Sequence, residues 1–522
     1  EDSLIWLSRY GLAREFPEYC DLETVIALTD DDRIRHPELT SPYIAVTARG
    51  EYMSTLEIAG ALKEMREDVP PDQIPPGSPC TSLAHFAQHL TPALATFFRT
   101  LGHKISMVLE RDPEGGEAEI RNMLAPQYAS LRRTGMQMED ILDEKIATLS
   151  PWLIRERCWL SVWSSHEATS RTEYTDYLKK KTQTETAMPH ARYGQPLWEP
   201  MFSGLKIRHD SLINTLIHAL SADREGQLVR LMETAEVCRE LRSQILRGQV
   251  PRDWRPVLAG ENRPAGWPQQ DDISALLAPP LNFQLFSDDV ETSGSLVRAG
   301  GLWHGTASIV LPPQQLQSMN DLIVRIPRSV PWRIRMDIAP GGMKKLQGKR
   351  FLASMGRFIN SIRPLSDAIE TLAETDRTTP VCVMTIVAST WAATKEDCRR
   401  NLMLLRSALE GWGICEVTTT FGDPRRGWVN SLLAASTSSG PNLLYPPLNE
   451  ALWLAPFNRP ASAWSDDAQV MGHVEDGKPV PLGLASSRQT KFTEIVGGEP
   501  GTGKSVLVNA LSNAMVTSAM QK

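Results

Sequence analysis

A complete phosphate-binding motif of the form G-x-x-x-x-G-K-[ST] lies near the end of the sequence, at residues 498–505. Glycines in such a loop let consecutive backbone N–H groups turn inward around phosphate oxygens. The lysine of the motif reaches the β- and γ-phosphates, and the hydroxyl after it ligates magnesium. The motif therefore predicts a site for ATP and Mg²⁺. Its expected residues are Gly498, Glu499, Pro500, Gly501, Thr502, Gly503, Lys504, Ser505 and Val506.

The segments on either side of the motif have the patterns of a strand and a helix. Residues 492–496 are β-forming and predict a short strand that leads into the loop. After the motif, apolar residues recur at helical spacing: Val506, Leu507, Ala510, Leu511, Ala514 and Met515. This arrangement places Lys504 and Ser505 at the start of a helix, whose N-terminal dipole favours the negative charge of phosphate.

The composition is that of a folded protein with several domains. The sequence has 522 residues, 41% hydrophobic and 22% charged, and this length predicts two to four domains. A formal net charge of −7 argues against binding of nucleic acid over the whole surface and leaves open a local basic channel. Seven cysteines without a C-x-x-C pair favour a reducing compartment. No apolar run reaches the roughly 18 to 20 residues that span a bilayer.

Both ends of the sequence look like cuts in a longer protein. The first residue is Glu1 rather than methionine, and only residues 506–522 follow the motif. A P-loop ATPase needs an acidic residue, at the end of an apolar strand after the motif, to hold magnesium and activate water. We therefore expect ATP hydrolysis to need C-terminal residues absent from this chain. Asp337 also follows apolar residues in a strand pattern, but it lies upstream of the motif.

Alternating helix and strand patterns, together with proline content, divide the sequence into five predicted segments of α/β character. They are an N-terminal α/β domain at 1–165, a helical region at 166–250, a Pro-rich linker or extended segment at 251–300, a second α/β domain of split-sandwich type at 301–440, and the start of a P-loop domain at 441–522. Both α/β segments share the alternation but show no residue-level repeat, so a duplication is left open. Within the first segment, residues 43–49 and 52–58 predict a hairpin with a two-residue turn at Gly50 and Glu51.

Two further sets of residues have chemically useful spacing. His85 and His89 are four residues apart on a predicted helix, but no third metal ligand is indicated, so we interpret them as an ordinary helix face. Arg425 and Arg426 follow Asp423 and Pro424, and either arginine has the chemistry of a finger that contacts phosphate in a neighbouring subunit. A solvated turn before a helix is the simpler interpretation.

Three segments together resemble one family of bacterial ATPases. They are residues 43–60, residues 451–464 with the sequence ALWLAPFNRPASAW, and the motif at 498–505. The same segments in the same order are similar to those of the DotO/IcmB/TraU proteins, the ATPases of type IVB secretion and of related conjugation systems. Residues 451–464 discriminate best, because many families share the phosphate-binding motif.

The resemblance implies mixed α+β N-terminal domains that lead into the start of a RecA-like P-loop NTPase domain, a VirB-type motor. It implies a bacterial cytoplasmic protein, peripherally associated with the inner membrane, whose N-terminal part docks on the inner-membrane complex through the first α/β segment. The implied partners are further copies in a homo-oligomer (a hexamer or an assembly of dimers), inner-membrane secretion-complex proteins and a second cytoplasmic secretion ATPase. Direct binding of nucleic acid is left open.

Residue by residue, the resemblance extends to the phosphate loop. The positions that match are Gly498, Gly501, Gly503, Lys504 and Ser505. In the family, Lys504 would bind the β- and γ-phosphates and Ser505 would ligate Mg²⁺, whereas Glu499 and Pro500 occupy variable positions. The acidic magnesium partner of the family and its trans-acting arginine have no match in this sequence.

Three functions are consistent with these observations. The first is an ATPase that energises a secretion or conjugation machine. The second is a DNA-pumping coupling-type ATPase, against which the acidic net charge and the lack of an N-terminal membrane-spanning pair argue. The third is a ring-forming scaffold in which nucleotide only supports assembly.

Overall fold

A computed structural model describes strands and α-helices over much of the chain. The described residues are 22–27, 40–47, 49–61, 64–66, 69–76, 78, 80–187, 201–221, 227–251, 254–257, 281–286, 290–313, 317–346, 363–435, 442–459, 470–473, 477, 479–482, 501 and 504–519. Their strands are β1 Leu22–Ala27, β2 Thr40–Thr47, β3 Tyr52–Ala61, β4 Glu64–Arg66, β5 Cys80–Ser82, β6 His103–Asp112, β7 Arg155–Ser164, β8 Gln227–Leu231, β9 Glu291–Ser293, β10 Leu296–Ala299, β11 Leu302–Leu311, β12 Trp332–Ala339, β13 Val383–Ala392, β14 Glu416–Thr418, β15 Val470–His473 and β16 Pro479–Leu482. Their α-helices are α1 Leu83–Arg99, α2 Gly115–Thr134, α3 Glu139–Leu149, α4 Arg171–Ala187, α5 Ser203–Ser221, α6 Thr234–Ile245, α7 Leu281–Leu285, α8 Met319–Arg325, α9 Arg363–Thr375, α10 Lys395–Gly411, α11 Pro424–Val429, α12 Leu448–Trp453 and α13 Lys504–Ala519.

The chain divides into two compact units, each assembled from separate stretches. The first unit comprises Glu1–Leu109, Cys158–Ile326 and Arg333–Arg459. The second comprises Glu110–Arg157, Pro327–Trp332 and Pro460–Lys522. The fold is mixed α/β with a large antiparallel sheet. The five-segment division made from the sequence stays a prediction.

A twelve-stranded sheet is the main feature of the first unit. Its strands follow the order β1-β2-β3-β7-β6-β12-β13-β11-β10-β9, with β8 paired to β3 and β14 paired to β11. Antiparallel pairs include β2 with β3, β3 with β7, β10 with β11, and β11 with β13. The two α/β segments indicated by the sequence therefore contribute to one sheet.

The sheet contains the same arrangement twice. Strands β3, β6, β7 and β8 form the first repeat and lie in the order β8-β3-β7-β6. Strands β11, β12, β13 and β14 form the second repeat and lie in the order β14-β11-β13-β12. In each repeat, helices connect the first strand to the second and the third strand to the fourth. This is the split β-α-β-β-α-β order of ferredoxin-like folds.

The extra strands and the junction follow the same duplication. In the first repeat, the preceding strand β2 pairs with the beginning of β3, and β8 pairs with the end of β3. In the second repeat, the preceding strand β10 pairs with the beginning of β11, and β14 pairs with the end of β11. The second strands of the two repeats, β6 and β12, are neighbours in the sheet. The duplication that the sequence left open is therefore visible in the topology, although no residue repeat accompanies it.

The predicted hairpin is confirmed, but its turn is one residue longer than expected. Val46 lies opposite Tyr52, and the Thr47 N–H donates to the Glu51 carbonyl at 3.0 Å, so the loop is 48–50. Gly50 has a φ of +76° and its N–H donates to the Thr47 carbonyl at 2.8 Å. A three-residue loop with a left-handed glycine at its last position gives this geometry. The two-residue turn with Gly50 at its first position was wrong.

Side-chain caps start the helices of the two repeats. The Ser82 hydroxyl accepts the His85 N–H at the start of α1, and the Thr394 hydroxyl accepts the Asp397 N–H at the start of α10. Ser318 and Asp321 form a capping box at the start of α8. The sequence pattern also predicts a helix from about 82 to 101 and another from 395 to 409, and both are confirmed. By contrast, the predicted helical region at 166–250 contains β8, whose five residues are too short for periodicity to distinguish a strand from a helix.

A search of the helices over the described residues finds none with both the length and the apolar character needed to cross a membrane.

Candidate nucleotide-binding site

The described part of the predicted site consists of Gly501 and the first turn of α13. Gly501 lies in a turn with a φ of +83°, which glycine adopts without strain. Helix α13 begins at Lys504, so the lysine, Ser505 and Val506 all lie in its first turn. The other five predicted residues lie outside the described residues: Gly498, Glu499, Pro500, Thr502 and Gly503. The strand predicted at 492–496 also lies outside them.

The first turn of α13 has the chemistry that a phosphate with magnesium requires. Lys504 is half-buried and Ser505 is exposed. The first N–H groups of a helix have no intrahelical partner and carry partial positive charge. A β-carbon added at Gly501 would have no described atom within 4 Å, so the backbone of the turn is open on that side. An ammonium, a hydroxyl and the amide donors at the start of a helix together fit a phosphate and its magnesium ion.

Helix α13 packs against α2 within the second unit. Glycines at the start of α2 let it approach the following chain closely, because a β-carbon at Gly116 would lie 2.5 Å from the Leu153 carbonyl oxygen. At its other end, Gly135 has a φ of +71°, and its N–H donates to the Arg132 carbonyl. The sequence pattern predicts one helical region at about 117–149, and the structure has two helices there, α2 and α3. In the order of the chain, both come between β6 and β7.

Ion pairs hold the ends of β6 and β7 beside α2. In a buried pair, Arg111 Nε lies 3.1 Å from a carboxylate oxygen of Glu156. Arg157 donates to Glu119 of α2, and Arg155 Nε lies 4.0 Å from the same carboxylate. Apolar contacts add to this, since the buried Ile120, Leu124, Ile146 and Leu153 form one cluster. The helix that supports α13 is therefore fixed by charge and by packing.

Gly477 lies in the segment that precedes the site and is hydrogen-bonded to the backbone after α3. Its carbonyl accepts the Ile154 N–H at 2.8 Å. Arg328 Nη2 donates to the Trp152 carbonyl at 3.2 Å beside it. Gly477 has a φ of +87°, and an added β-carbon would lie 2.9 Å from the Trp152 carbonyl oxygen and 2.3 Å from Arg328 Nη2. Both the positive φ and the lack of room for a β-carbon therefore require glycine at this position.

We expect Gly477→Ala to destabilise the second unit by about 1 to 3 kcal/mol. The alanine would be strained at this positive φ, and its β-carbon would also lie too close to the Trp152 carbonyl oxygen. The matched control is Gly135→Ala, which has a similar φ but no described atom within 4 Å of the added β-carbon. Hydrogen exchange of the Ile154 N–H measures the effect. Exchange that rises equally in both variants would contradict a role for the close contact.

Three consecutive apolar residues near the start of α13 are exposed in the described structure. The exposed fraction is 73% for Val506, 47% for Leu507 and 43% for Val508. The sequence pattern placed Val506 and Leu507 on an apolar helix face, and the structure leaves that part of the face open to solvent.

The other candidate residues of the sequence do not form a second site. The rings of His85 and His89 lie side by side on α1, with centroids 6.5 Å apart. No cluster of three or more metal-ligating side chains occurs among the described residues. Arg425 is bonded to the cap of its own helix, with Nη2 2.9 Å from Asp423 Oδ2.

Asp337 lies at the end of β12 and belongs to the first unit. Arg335 Nε donates to its carboxylate at 2.9 Å. Burial alone would raise the pKa of this carboxyl, but the positive charges of Arg335 and Lys104 hold the pKa below its ordinary value. A carboxylate with these partners is a structural anion of the sheet.

A buried hydrogen-bonded chain in the first repeat was not indicated by the sequence. His103 Nδ1 and Ser164 Oγ are 3.0 Å apart, and Ser164 Oγ lies 2.9 Å from His209 Nδ1. His209 Nε2 lies 2.9 Å from Ser54 Oγ, which donates to the Tyr43 carbonyl at 2.7 Å. The four hydrogen-bonded side chains come from three strands and a helix that are far apart in the sequence, so no local sequence pattern indicates this series of hydrogen bonds.

Comparison with known proteins does not extend these observations. Neither a scan against protein-family models nor a search of curated proteins finds a match for this chain.

Proposed function

We propose that residues 498–505 bind the phosphates of ATP and that the chain is part of an ATPase that energises a bacterial secretion or conjugation machine. The observation that carries the proposal is the complete phosphate-binding motif, whose lysine and hydroxyl lie in the first turn of a helix. The open left-handed turn at Gly501 supports it. The similarity of residues 43–60 and 451–464 to the DotO/IcmB/TraU proteins gives the proposal its biological setting.

In this proposal each residue of the first turn has a separate task. Lys504 binds the β- and γ-phosphate oxygens, and the Ser505 hydroxyl holds Mg²⁺. The first N–H groups of α13 add hydrogen bonds to phosphate oxygens. When bound, magnesium supplies charge that neutralises the phosphates. The residue that positions the attacking water is proposed to lie outside the described residues.

The proposal extends to the assembled protein. Residues 441–522 begin a RecA-like motor domain, and copies of the protein form a hexamer or an assembly of dimers. The first α/β segment docks on proteins of the inner-membrane complex, so the protein works at the cytoplasmic face of that membrane. Helix α2, which contacts α13, lies between β6 and β7 in the order of the chain.

We expect Lys504→Ala to weaken binding of Mg·ATP by about 10- to 100-fold, because it removes charge-assisted hydrogen bonds to phosphate. Isothermal calorimetry with the wild-type chain and the variant measures the change. The matched control is Lys179→Ala, which removes an exposed lysine of α4 in the first unit. Equal affinity of wild type and Lys504→Ala for Mg·ATP would contradict the proposed site.

A further inference from the structure

A cavity of about 560 Å³ lies where the two repeats meet in the sheet of the first unit. Lys104 on β6 and Trp163 on β7 line it from the first repeat, and Asp337 on β12 and Thr385 on β13 line it from the second. Strands β6 and β12 are neighbours, so the cavity lies at the junction itself. Its volume is typical of sites for small molecules, which occupy roughly 300 to 1,000 Å³.

The floor of the cavity combines an aromatic face with an excess of positive charge. Lys104 Nζ lies 4.2 Å from the centroid of the Trp163 ring. The buried Asp337 carboxylate accepts a hydrogen bond from Arg335, which is itself buried. Lys104 and Asp337 therefore line the floor, and Arg335, which does not line the cavity, offsets the charge of Asp337.

The rim adds a second excess of positive charge. Arg49, Lys344 and Lys345 are exposed there, together with the carboxylates of Glu51 and Glu167. Within the described part of the chain, none of the three rim cations has an ion-pair partner. Four cations and three carboxylates line the cavity, and the buried Arg335 pairs with one of those carboxylates, so the lining and its paired arginine together carry an excess of two positive charges.

We propose that this cavity binds a small organic phosphate. A phosphomonoester carries about −1.5 to −2 charge at pH 7, which matches the excess of two positive charges. Lysine side chains are common phosphate ligands, and Lys344 and Lys345 are exposed at the mouth, where they can reach a phosphate. The Trp163 ring and the Leu101 and Pro340 side chains line the same cavity and offer apolar contact to the organic part.

A ligand in this cavity would contact both repeats at once. Strand β6 and the β2–β3 hairpin contribute on one side, and β12 and the residues after it contribute on the other. Because such a ligand binds only the folded junction, it raises the unfolding temperature of the first unit by mass action. The proposal does not depend on ATP binding at residues 498–505.

The test uses the Lys504→Ala chain throughout, so that the phosphate-binding motif does not contribute. Ribose 5-phosphate is the probe, titrated by calorimetry at low salt, with ribose and inorganic phosphate as separate comparisons. The variant adds Lys344→Gln and Lys345→Gln, which are exposed and leave the core unchanged. The matched control adds Lys179→Gln and Lys180→Gln, two exposed lysines of α4.

We expect saturable binding of ribose 5-phosphate, at least about tenfold weaker in the Lys344/Lys345 variant and unchanged in the Lys179/Lys180 control. Ribose should not bind, and inorganic phosphate should bind more weakly than the probe. The proposal is overturned by the absence of saturable binding in the Lys504→Ala chain, or by equal affinity in the Lys344/Lys345 variant. Equal affinity for inorganic phosphate would overturn the assignment of an organic ligand.

Discussion

Substituting Arg335 by methionine is expected to destabilise the first unit by about 3 to 5 kcal/mol, the effect of breaking a buried ion pair by removing one partner. The Arg335 side chain is 1% exposed and lies on β12. It donates to the Asp337 carboxylate at 2.9 Å and to the Ala435 carbonyl at 2.8 Å, and it also donates to the Leu432 carbonyl. Methionine fills a similar volume but satisfies none of these acceptors.

The reason for the large effect is the number of groups left without their donor. The Asp337 carboxylate would keep Lys104 but lose Arg335, the cation that lowers its pKa most, so the pKa of Asp337 should rise. The Leu432 and Ala435 carbonyls would become buried acceptors that lack this donor, and each unsatisfied group costs about 1 to 3 kcal/mol. The Arg335 guanidinium thereby ties residues 432–435 to β12, and Arg333 of the same strand donates to Ser431 Oγ at 3.1 Å.

Urea unfolding followed by tryptophan fluorescence measures this change, since Trp163 and Trp428 are buried in the same core cluster. The control is the double variant Arg335→Met with Asp337→Asn, which removes the lone carboxylate and should recover part of the loss. An unfolding free energy of Arg335→Met within about 0.5 kcal/mol of wild type, the scatter of neutral surface changes, would show that the guanidinium is not needed.

Acidification from pH 6.5 to pH 5 is expected to destabilise the first unit by roughly 3 kcal/mol through two buried histidines. Burial, and then Arg208, lower the pKa of His103 from 6.5 to about 4. Burial, and then His103 and Lys206, lower the pKa of His209 to about 3. The unfolded chain binds protons at both rings below pH 6.5, whereas the folded chain does not until about pH 4.

The sign of the effect follows from this difference. Stability from the two rings is fully present above pH 6.5 and falls as the pH drops toward 4, by about 1.4 kcal/mol per pH unit for each histidine. The groups that face the rings are hydroxyls, aromatic rings and cations: Ser54, Ser164, Tyr52, Phe97, Lys206 and Arg208. A cation or hydroxyl cannot stabilise an imidazolium as a carboxylate would, so the neutral rings are retained.

Unfolding free energies at pH 7.5, 6.5, 6 and 5 test this prediction in wild type and in His209→Gln. The slope between pH 6.5 and 5 should fall by about half in the variant, because one of the two rings no longer titrates. His218→Gln is the matched control, an exposed histidine on the same helix α5. A slope unchanged by His209→Gln would assign the acid sensitivity to carboxylates instead.

Local patterns predicted individual elements better than the way they combine. Helices α1 and α10 were predicted from their helical sequence patterns, and both begin within a residue or two of the expected position. The hairpin was predicted from β-forming runs, but the pairing of Thr47 with Glu51 decides the turn length, and that pairing is not a local property. The duplicated sheet order depends on contacts between distant strands, which no single segment specifies.

The same distinction applies to the sites. The phosphate-binding motif is contiguous, so its residues were found from spacing alone. The cavity between the repeats combines side chains from β6, β7, β12 and β13. The series of hydrogen bonds from His103 to Ser54 includes His209 of α5. Asp337 had the strand context of a magnesium ligand in the sequence, and only the structure shows its bond to Arg335.

The central claim is that residues 498–505 form the nucleotide site of an ATPase. ATP turnover by the full-length protein, wild type against Lys504→Ala, tests it most directly when the oligomeric state is followed in the same samples. We predict that turnover is lost in Lys504→Ala while the assembly persists, because the lysine binds phosphate and does not hold subunits together. Equal turnover in both proteins, or intact assemblies with no turnover in either, would contradict the claim, and the latter would favour a scaffold.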